Sequence, residues 1–279
     1  MNKFYYFLLL ITLLFACKSE TKETKEIKLN NINLSGEIKS IRELHVRSEK
    51  ETESTADIFA SQGGFETVFN RQGNMVLYLI YEANGSISSK NIYKYDDENN
   101  LIEEEIYYGD ELSFRDLYTY NDKGKRIEKT TFDSDGNLSL RQRYVYNDKE
   151  NVIEERYHNN EDVFYNKIVF EYDDKNNVVE ENHYDADDLH CIKINYKYDD
   201  NGNMIEEDHH ALLNNMFDFK NQFKYDEKCN VIEEIYLNHS ATKRIIEYEF
   251  DEKGNWIKSI SYEDGLQQNI IIREIEYFE

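Results

Sequence analysis

Proline is absent from all 279 residues of the chain, and both cysteine and basic residues are scarce. Because proline lacks the backbone N–H that a central strand gives to its ladder, its absence favours an extensive β-sheet. The three cysteines, Cys17, Cys191 and Cys229, are too few for a disulfide framework. Lysine and arginine number 33 against 57 acidic residues, which gives a net charge of −24. Phosphates repel so acidic a protein, so nucleic-acid binding is disfavoured.

Long apolar runs are also scarce, since only 39% of the residues are hydrophobic and the mean hydropathy is −0.82. The exception follows Lys3 and reads FYYFLLLITLLFA. This run is shorter than the roughly 17–25 residues of a membrane-spanning helix. A positive start, a short apolar stretch and a small residue at its end are typical of an export signal.

The apolar run ends LLFAC, with Leu14 three residues before Cys17 and Ala16 beside it. This ending resembles the lipobox of bacterial lipoproteins, which are cut before the cysteine after its thiol is lipidated. The resemblance implies a signal peptide over residues 1–16 and a lipid on Cys17. The alternatives are an ordinary secretory signal and a short membrane anchor, and Phe15 is bulkier than is usual in a lipobox.

Residues 17–33 are polar and lack periodic apolar positions, which predicts a lipidated flexible tether ahead of a domain over residues 34–279. Loss of residues 1–16 would leave 32 basic and 57 acidic residues. Attachment to a membrane would then depend on acyl chains, each buried CH₂ contributing about 0.8 kcal/mol, and not on charge.

An aromatic residue followed by Asp or Asn recurs every 25 to 27 residues, which is the signature of a repeat. These repeat aromatics are Phe69, Tyr95, Tyr120, Tyr146, Tyr172, Tyr198, Tyr225 and Phe250, with a frayed ninth at Tyr277. Gly or Asn stands before a recurring Asn five residues later, and both tolerate the positive φ of a tight turn. A second aromatic two residues before the repeat aromatic shares one face of a strand with it.

Each repeat also contains a looser second turn, such as EANG at 82–85, so it predicts two strands of about seven residues. Residues 36–44 and 63–69 add strands, with a loop at 48–57. The sequence therefore predicts an all-β fold: an extended, twisted antiparallel meander of about eight two-strand repeats, or about 18 strands. At about 4.8 Å per strand the sheet would be roughly 85 Å wide. All tight turns would lie along one rim, and whether the sheet curls to enclose a cavity is left open.

The repeated Y-x-Y-D-x-x-G-N unit resembles the YD repeat, the RHS-type repeat of bacterial surface and toxin-shell proteins, over residues 69–277. In that family the repeats form a long β-ribbon, which spirals into a shell in very large members. The chain departs from the family in having few units and no toxin segment after REIEYFE. Together with the lipobox, it resembles small envelope lipoproteins of Gram-negative bacteria, so the resemblance implies a fold and little chemistry.

Two rows of charge run through the repeats. Glu stands eight residues past the repeat aromatic at Glu103, Glu128, Glu154, Glu180, Glu206 and Glu233, often followed by a second Glu. Basic residues stand five residues before the repeat aromatic, at Lys90, Arg115, Arg141, Lys167, Lys193 and Lys220. Carboxylate pairs can perform acid–base catalysis, but a pair in every repeat favours cross-strand ion pairing on a solvated face. We predict no catalytic residue.

Metal binding and a disulfide are also disfavoured. His183 and His209 fall in equivalent slots of consecutive repeats, roughly 10 Å apart with a strand between them, too far for one zinc ion. The segments DSDGN (133–137) and DDNGN (199–203) begin like calcium loops but lack the bidentate Glu at the twelfth position, which leaves only weak calcium binding open. Cys191 and Cys229 fall at opposite strand ends, which predicts two free thiols.

The sequence predicts a non-enzymatic lipoprotein of the outer membrane or cell envelope, without cofactor or metal. It would be held to the membrane by lipid on Cys17, and would act as a repeat scaffold or a binding surface for a protein or glycan. The tyrosines, 23 in all, could stack on sugar rings. The alternatives are an envelope glycan hydrolase that uses a carboxylate pair and an immunity partner of a basic toxin. The membrane leaflet, periplasmic or surface exposure, and the oligomeric state are left open.

Overall fold

The computed structural model describes residues 34–46, 63–213, 218–238 and 240–279. These residues form β1 (Ile38–Val46), β2 (Gly64–Phe69), β3 (Met75–Tyr81), β4 (Ile87–Tyr95), β5 (Leu101–Tyr108), β6 (Glu111–Tyr120), β7 (Arg126–Asp133), β8 (Leu138–Tyr146), β9 (Val152–Asn159), β10 (Phe164–Tyr172), β11 (Val178–Tyr184), β12 (His190–Tyr198), β13 (Met204–Ala211), β14 (Phe219–Tyr225), β15 (Val231–Leu237), β16 (Ala241–Phe250), β17 (Trp256–Glu263) and β18 (Leu266–Tyr277). The predictions of an all-β fold and of about 18 strands are confirmed. Within these ranges no helix is long and apolar enough to cross a membrane.

Several predicted features lie outside the described residues. These are the signal peptide at 1–16, the lipidation site Cys17, the tether that ends at residue 33, and the loop predicted at 48–57. They stay predictions.

The sheet closes on itself. From β2 to β18 each strand pairs antiparallel with the next strand in sequence. Strand β1 pairs with both ends of this meander, because Ile41 faces Thr67 of β2 and Ile275 of β18. The predicted open, extended meander is therefore wrong, and the strands form a closed antiparallel barrel. Closure pairs the two edge strands that an open sheet would expose.

The turns that follow the repeat aromatics lie on one rim of the barrel, as predicted. In the turn after Tyr95, the Asp96 N–H donates to the Asn100 carbonyl at 3.0 Å and the Asp96 carboxylate accepts the Asn100 N–H at 2.8 Å. Asn99 takes up φ 65° just before Asn100. We call this rim, formed by residues 69–75, 95–101, 120–126, 146–152, 172–178, 198–204, 225–231 and 250–256, the tight-turn rim. The other end of the barrel is the variable rim.

Each repeat tyrosine from Tyr95 to Tyr225 also clamps the preceding repeat. Its hydroxyl donates to the backbone carbonyl at the start of the strand after the previous tight turn: Tyr95 to Met75 at 2.7 Å, Tyr120 to Leu101 at 2.7 Å, Tyr146 to Arg126 at 2.6 Å, Tyr172 to Val152 at 2.5 Å, Tyr198 to Val178 at 2.7 Å and Tyr225 to Met204 at 2.6 Å. This ladder of hydroxyls explains why the repeat carries tyrosine at this position and why its spacing is so constant.

The closing strand β1 is buried on both faces. Ile38 and Ile41 pack with Leu34 and Phe69 on one face. Leu44 and Val46 pack with Ile270 on the other, and Leu44 and Ile270 are fully buried. Burial of this kind suits a strand that sits between the two ends of the meander.

Candidate functional site

The paired glutamates of each repeat point to opposite faces of the wall, because side chains alternate along a strand. Glu104, Glu155, Glu181, Glu207 and Glu234 form a row on the face that carries the buried aromatics. Glu103, Glu128, Glu154, Glu180, Glu206 and Glu233 form a row on the face that carries the exposed lysines. One face of a closed barrel lines its interior, where side chains converge, so we assign the enclosed row to the inner face and the other to the outer face.

Carboxylates of the inner row are held by tyrosines and amides. The Tyr196 hydroxyl donates to Glu181 Oε2 at 3.0 Å, and His183 Nε2 lies 2.6 Å from Glu181 Oε1. Glu155 Oε2 accepts the Tyr157 hydroxyl at 2.7 Å and Gln142 Nε2 at 2.8 Å. The inner wall is therefore a hydrogen-bonded lining of phenols and carboxylates.

Burial shapes the pKa values of this lining. It raises the pKa of Tyr118, Tyr157 and Tyr196, and neighbouring carboxylates add to the effect. These phenols therefore stay protonated and act as donors. Burial also raises the pKa of Glu155 against the hydrogen bonds from Tyr157 and Gln142. Burial would raise the pKa of Glu207 as well, but His209 and Asn221 outweigh it, so that pKa is lowered.

The outer row makes the cross-strand ion pairs that the sequence predicted. Lys193 lies 2.5 Å from Glu180, and Lys220 lies 3.2 Å from Glu206. Arg115 and Arg141 approach Glu103 and Glu128 at 3.6 and 3.5 Å. The two other predicted bases contact rings: Lys90 Nζ lies 4.4 Å from the Tyr107 ring centroid, and Lys167 Nζ lies 4.9 Å from that of Tyr184.

A second set of lysines escaped the sequence reasoning. Lys94, Lys197 and Lys224 stand one residue before the repeat aromatic and lie 3.0, 2.8 and 2.8 Å from Glu103, Glu206 and Glu233. Hydrogen bonds from Lys197, Gln222 and Lys220 lower the pKa of Glu206 to about 2 against a smaller effect of burial. The sequence did contain a signal for these lysines, because lysine recurs one residue before the repeat aromatic.

The inner carboxylates are poorly placed for hydrolysis. Glu181 is 2% exposed and both of its oxygens carry hydrogen bonds. Glu155 lies on β9 and Glu181 on β11, with β10 between them, and Glu155 faces Ile168 across the ladder. A substrate would have to displace Tyr196 and His183 to reach the carboxylate of Glu181.

The histidines and acidic turns have local partners. Ile192 and Ile194 of β12 lie beside His183 of β11 and His209 of β13 respectively, so one strand separates the two histidines, as predicted. The Asp133 carboxylate accepts the backbone N–H of Asp135 and of Asn137 at 3.0 and 2.8 Å, as a turn residue does. Within the described ranges no group of three or more His, Cys, Asp or Glu residues is arranged to hold a metal ion.

The cysteines differ from each other. Cys191 is a free thiol, as predicted, and burial raises its pKa. Cys229 is disulfide-bonded, so the prediction of a free thiol there is wrong. Cys229 takes up φ 62° at the position where other repeats carry glycine.

A shallow depression of about 400 Å³ lies on the outer face near the variable rim. Lys243, Ile245, Glu247, Tyr262, Asp264 and Gly265 line it. Its floor mixes a few apolar atoms with charges of both signs, so it offers a small surface contact and no enclosed site.

Comparison with known proteins gives a limited result. A family model described only as an uncharacterised protein matches residues 87–165, less than half of the chain. No curated protein matches. Among solved structures, a porin-like protein from Bacteroides uniformis is similar at 11% identity and a TM-score of 0.44, over 87% of this chain and 98% of that one. A porin-like protein from Bacteroides vulgatus is similar at 10% identity and 0.29, over 86% and 98%. The Tc holotoxin pore of Photorhabdus luminescens is similar at 13% identity and 0.37, over 76% and 12%.

These findings correct the assignment to the YD-repeat family. The matching family model is that of an uncharacterised family, and the strands close into an 18-stranded barrel where a ribbon was expected. The recurring Tyr-Asp turn is the feature that misled the assignment, since its hydrogen bonds serve any tight turn along the rim of a meander.

Proposed function

We propose that the chain is a non-enzymatic, lipid-anchored protein of the outer membrane or cell envelope, and that its barrel is a rigid binding surface for a protein or glycan. The observation that carries the proposal is the two-faced wall, in which the inner and outer carboxylate rows are both engaged by partners in every repeat that has them. Such a wall offers extended surfaces whose side chains are already held in place, which lowers the entropic cost of binding a partner.

The membrane attachment rests on the sequence around Cys17. Acyl chains on that cysteine would hold an acidic barrel at a bilayer that its charge does not attract. The acidic surface also favours basic partners, and it leaves a protective role against a basic toxin as one form of the same binding function.

A pore is the second candidate function, because 18 closed strands are enough to surround an aqueous channel. The outer wall opposes it. A lipid-facing surface is apolar, and a Lys or Arg at mid-membrane costs about 2–4 kcal/mol. Here Lys94, Arg115 and Glu103 form an ion-paired cluster on the outer face, and equivalent clusters recur around the barrel.

Metabolic labelling with a palmitate analogue tests the anchor. The wild type should take up label and fractionate with membranes, and Cys17→Ser should do neither. Mass spectrometry of the N-terminal peptide gives a second readout, since a Cys17 without a thioether-linked acyl group would overturn lipidation. An unlabelled wild type would do the same.

Planar-bilayer conductance separates the two candidates. The binding function predicts no channels from the purified, lipidated protein. Stepwise conductance of defined size that survives in Cys17→Ser would replace the binding function with the pore.

A further inference from the structure

Exposed apolar side chains concentrate at one end of the barrel. Of the fourteen large ones among the described residues, ten lie at or next to the variable rim: Ile87, Tyr108, Val163, Tyr165, Leu189, Ile192, Leu212, Leu213, Tyr236 and Leu266. The four in the other half, Ile102, Leu117, Ile127 and Val145, are 36–38% exposed, whereas Leu266 reaches 69% and Tyr165 59%.

Six of them form a group that we call the apolar rim patch: Val163, Tyr165, Leu189, Ile192, Leu212 and Leu213. Val163, Leu189, Leu212 and Leu213 lie in the three successive connections β9–β10, β11–β12 and β13–β14, and Tyr165 and Ile192 lie near the starts of β10 and β12. Neighbouring connections on one rim are two strands, or about 10 Å, apart, so the patch extends over about 20 Å. Val163 and Leu189 each lie just ahead of a strand and outside its ladder pairs, so sheet formation does not require apolar residues there. An apolar group of this extent on an otherwise polar protein marks an interaction surface.

Acidic residues surround the patch. Glu161 and Asp162 stand in the β9–β10 connection, and Asp185, Asp187 and Asp188 in the β11–β12 connection. Arg141 neutralises Asp162 at 2.9 Å and Lys167 neutralises Asp188 at 2.5 Å, while Glu161 and Asp187 are exposed. The rim therefore presents apolar side chains within negative charge.

Charge argues against a bilayer as the occupant, because the exposed Glu161 and Asp187 beside the patch repel anionic lipid headgroups. A second copy fits poorly as well, because rim-to-rim contact would bring two acidic rings together.

We propose that the apolar rim patch docks a protein that presents apolar side chains ringed by lysine or arginine. The inference deepens the proposed binding function and rests on it. It assigns that function to the variable rim and fixes the partner chemistry as cationic and apolar.

The test uses residues 18–279, which contain all eighteen strands, and a short synthetic amphipathic peptide of leucine and lysine as the probe. Fluorescence anisotropy measures binding at physiological salt, with a leucine–glutamate peptide of the same pattern as the probe control. The rim variant L189S/L212S/L213S is compared with L117S/I127S/V145S, which removes the same kind of side chain from the other half. Net charge is unchanged in both variants, and thermal unfolding followed by circular dichroism checks that both fold.

We expect the rim variant to bind the lysine peptide about tenfold more weakly than the wild type, and the control variant to stay within about twofold. If both variants lose affinity for the lysine peptide equally, or neither loses any, the peptide binds through non-specific charge attraction. Either result would overturn the proposal. A rim-dependent dimer in sedimentation, or rim-dependent binding to phosphatidylcholine–phosphatidylglycerol vesicles, would assign the patch to a second copy or to lipid instead.

The outcome is separable from the envelope assignment, because the chain tested lacks Cys17. If the peptide binds at the rim but cells do not lipidate the wild type, the apolar rim patch is supported and the membrane anchor is rejected. If the wild type is lipidated but the rim variant binds the peptide as well as the wild type does, only the docking proposal is rejected.

Discussion

The two rims of the barrel are built on different rules. At the tight-turn rim, eight turns of nearly constant length repeat one set of hydrogen bonds, and the repeat tyrosines clamp each turn to the one before. Between β3 and β18 the connections at the variable rim range from the two residues Gly109 and Asp110 to the seven residues 212–218. Four variable-rim turns, at 82–86, 133–137, 159–163 and 185–189, make the same backbone hydrogen bonds. The tight-turn rim differs in that all eight of its turns follow this pattern and that tyrosine clamps join successive turns.

This division teaches where the sequence can change without loss of the fold. Once a turn and a clamp fix the register, the strand pairs follow as far as the opposite rim. The variable rim can then carry the exposed leucines and tyrosines that binding uses. If the two rims differ in this way, matched substitutions at the two rims should change the unfolding free energy unequally where the residue makes a contact with another part of the chain. They should change it equally where the residue contacts only its own turn.

The largest difference is expected between Asn255 and Asn137, which end turns of the same type on opposite rims. Asn255 is 1% exposed and also holds the closing segment: its Nδ2 donates to the Ser35 carbonyl at 2.8 Å and to the Tyr277 hydroxyl at 2.7 Å, and its Oδ1 accepts the Ser35 N–H. Asn255→Ala leaves several buried polar groups unpaired and should cost about 2–4 kcal/mol of unfolding free energy. Asn137→Ala, at an exposed turn, should cost less than about 1 kcal/mol.

Urea denaturation of both variants measures this difference. Equal costs would mean that the closing contacts at Asn255 add little to turn formation, and that closure is held elsewhere along β1.

The tyrosine clamps come next. Tyr172→Phe removes one buried hydrogen bond to Val152 and should cost about 0.5–1.5 kcal/mol. Burial raises the pKa of Tyr172 to about 12, so the clamp holds throughout the ordinary pH range. Tyr165→Phe, in the exposed patch at the other rim, should change stability by less than about 0.5 kcal/mol. A cost at Tyr165 equal to that at Tyr172 would show that the clamps do not distinguish the rims.

Much of the wall could be predicted from the sequence, because its signals are local. The Tyr-Asp turn and the paired aromatics predicted the strands, the turns and their common rim. The two faces of the Glu pairs were also readable, since adjacent strand residues point to opposite sides. What remained hidden was the inner partner of each carboxylate, which comes from a neighbouring strand, as when Tyr118 of β6 donates to Glu104 of β5 at 2.8 Å.

Closure could not be predicted, because nothing local in β1 shows which strands it pairs with. The segment IKSIRELHV carries no repeat aromatic, and its partners on β18 lie more than two hundred residues away in sequence. Buried Arg273 joins β18 to β1 and β17 and leaves no periodic trace: its Nε lies 2.8 Å from Glu43 Oε1, and its guanidinium stacks on Trp256.

Glycine turns should show no difference between the rims. Gly124 has φ 71° at the tight-turn rim and Gly136 has φ 82° at the variable rim, and an added Cβ would meet nothing within 4 Å at either. Each Gly→Ala change therefore carries only the left-handed backbone cost of about 1 kcal/mol. Matched urea titrations should give the same loss for both. A larger loss at Gly124 would show that the repeated turns cooperate beyond their local hydrogen bonds.

The smallest effect is a contrast in pH dependence between the tight-turn rim and the inner face. Burial would raise the pKa of the Asp173 carboxyl, but hydrogen bonds from Asn177 and Lys175 outweigh it and lower that pKa. Its contribution to stability is therefore present above the unfolded value near 3.9 and is lost as pH falls through the folded value. Asp173→Asn should remove that contribution, so the variant is less stable than the wild type at pH 7 and approaches it in acid.

Glu155 should behave in the opposite sense. Burial raises its pKa, so its contribution to stability is present below the unfolded value near 4.3 and is lost as pH rises through the folded value. Glu155→Gln keeps an oxygen that can accept from Tyr157 and Gln142, so it should stabilise the barrel at pH 7, and the gain should disappear in acid. Urea midpoints of the two variants between pH 7 and pH 3 should therefore approach the wild type from opposite sides. Approach from the same side would mean that Glu155 is hydrated in solution, which would place it on an open inner surface and not in a closed lining.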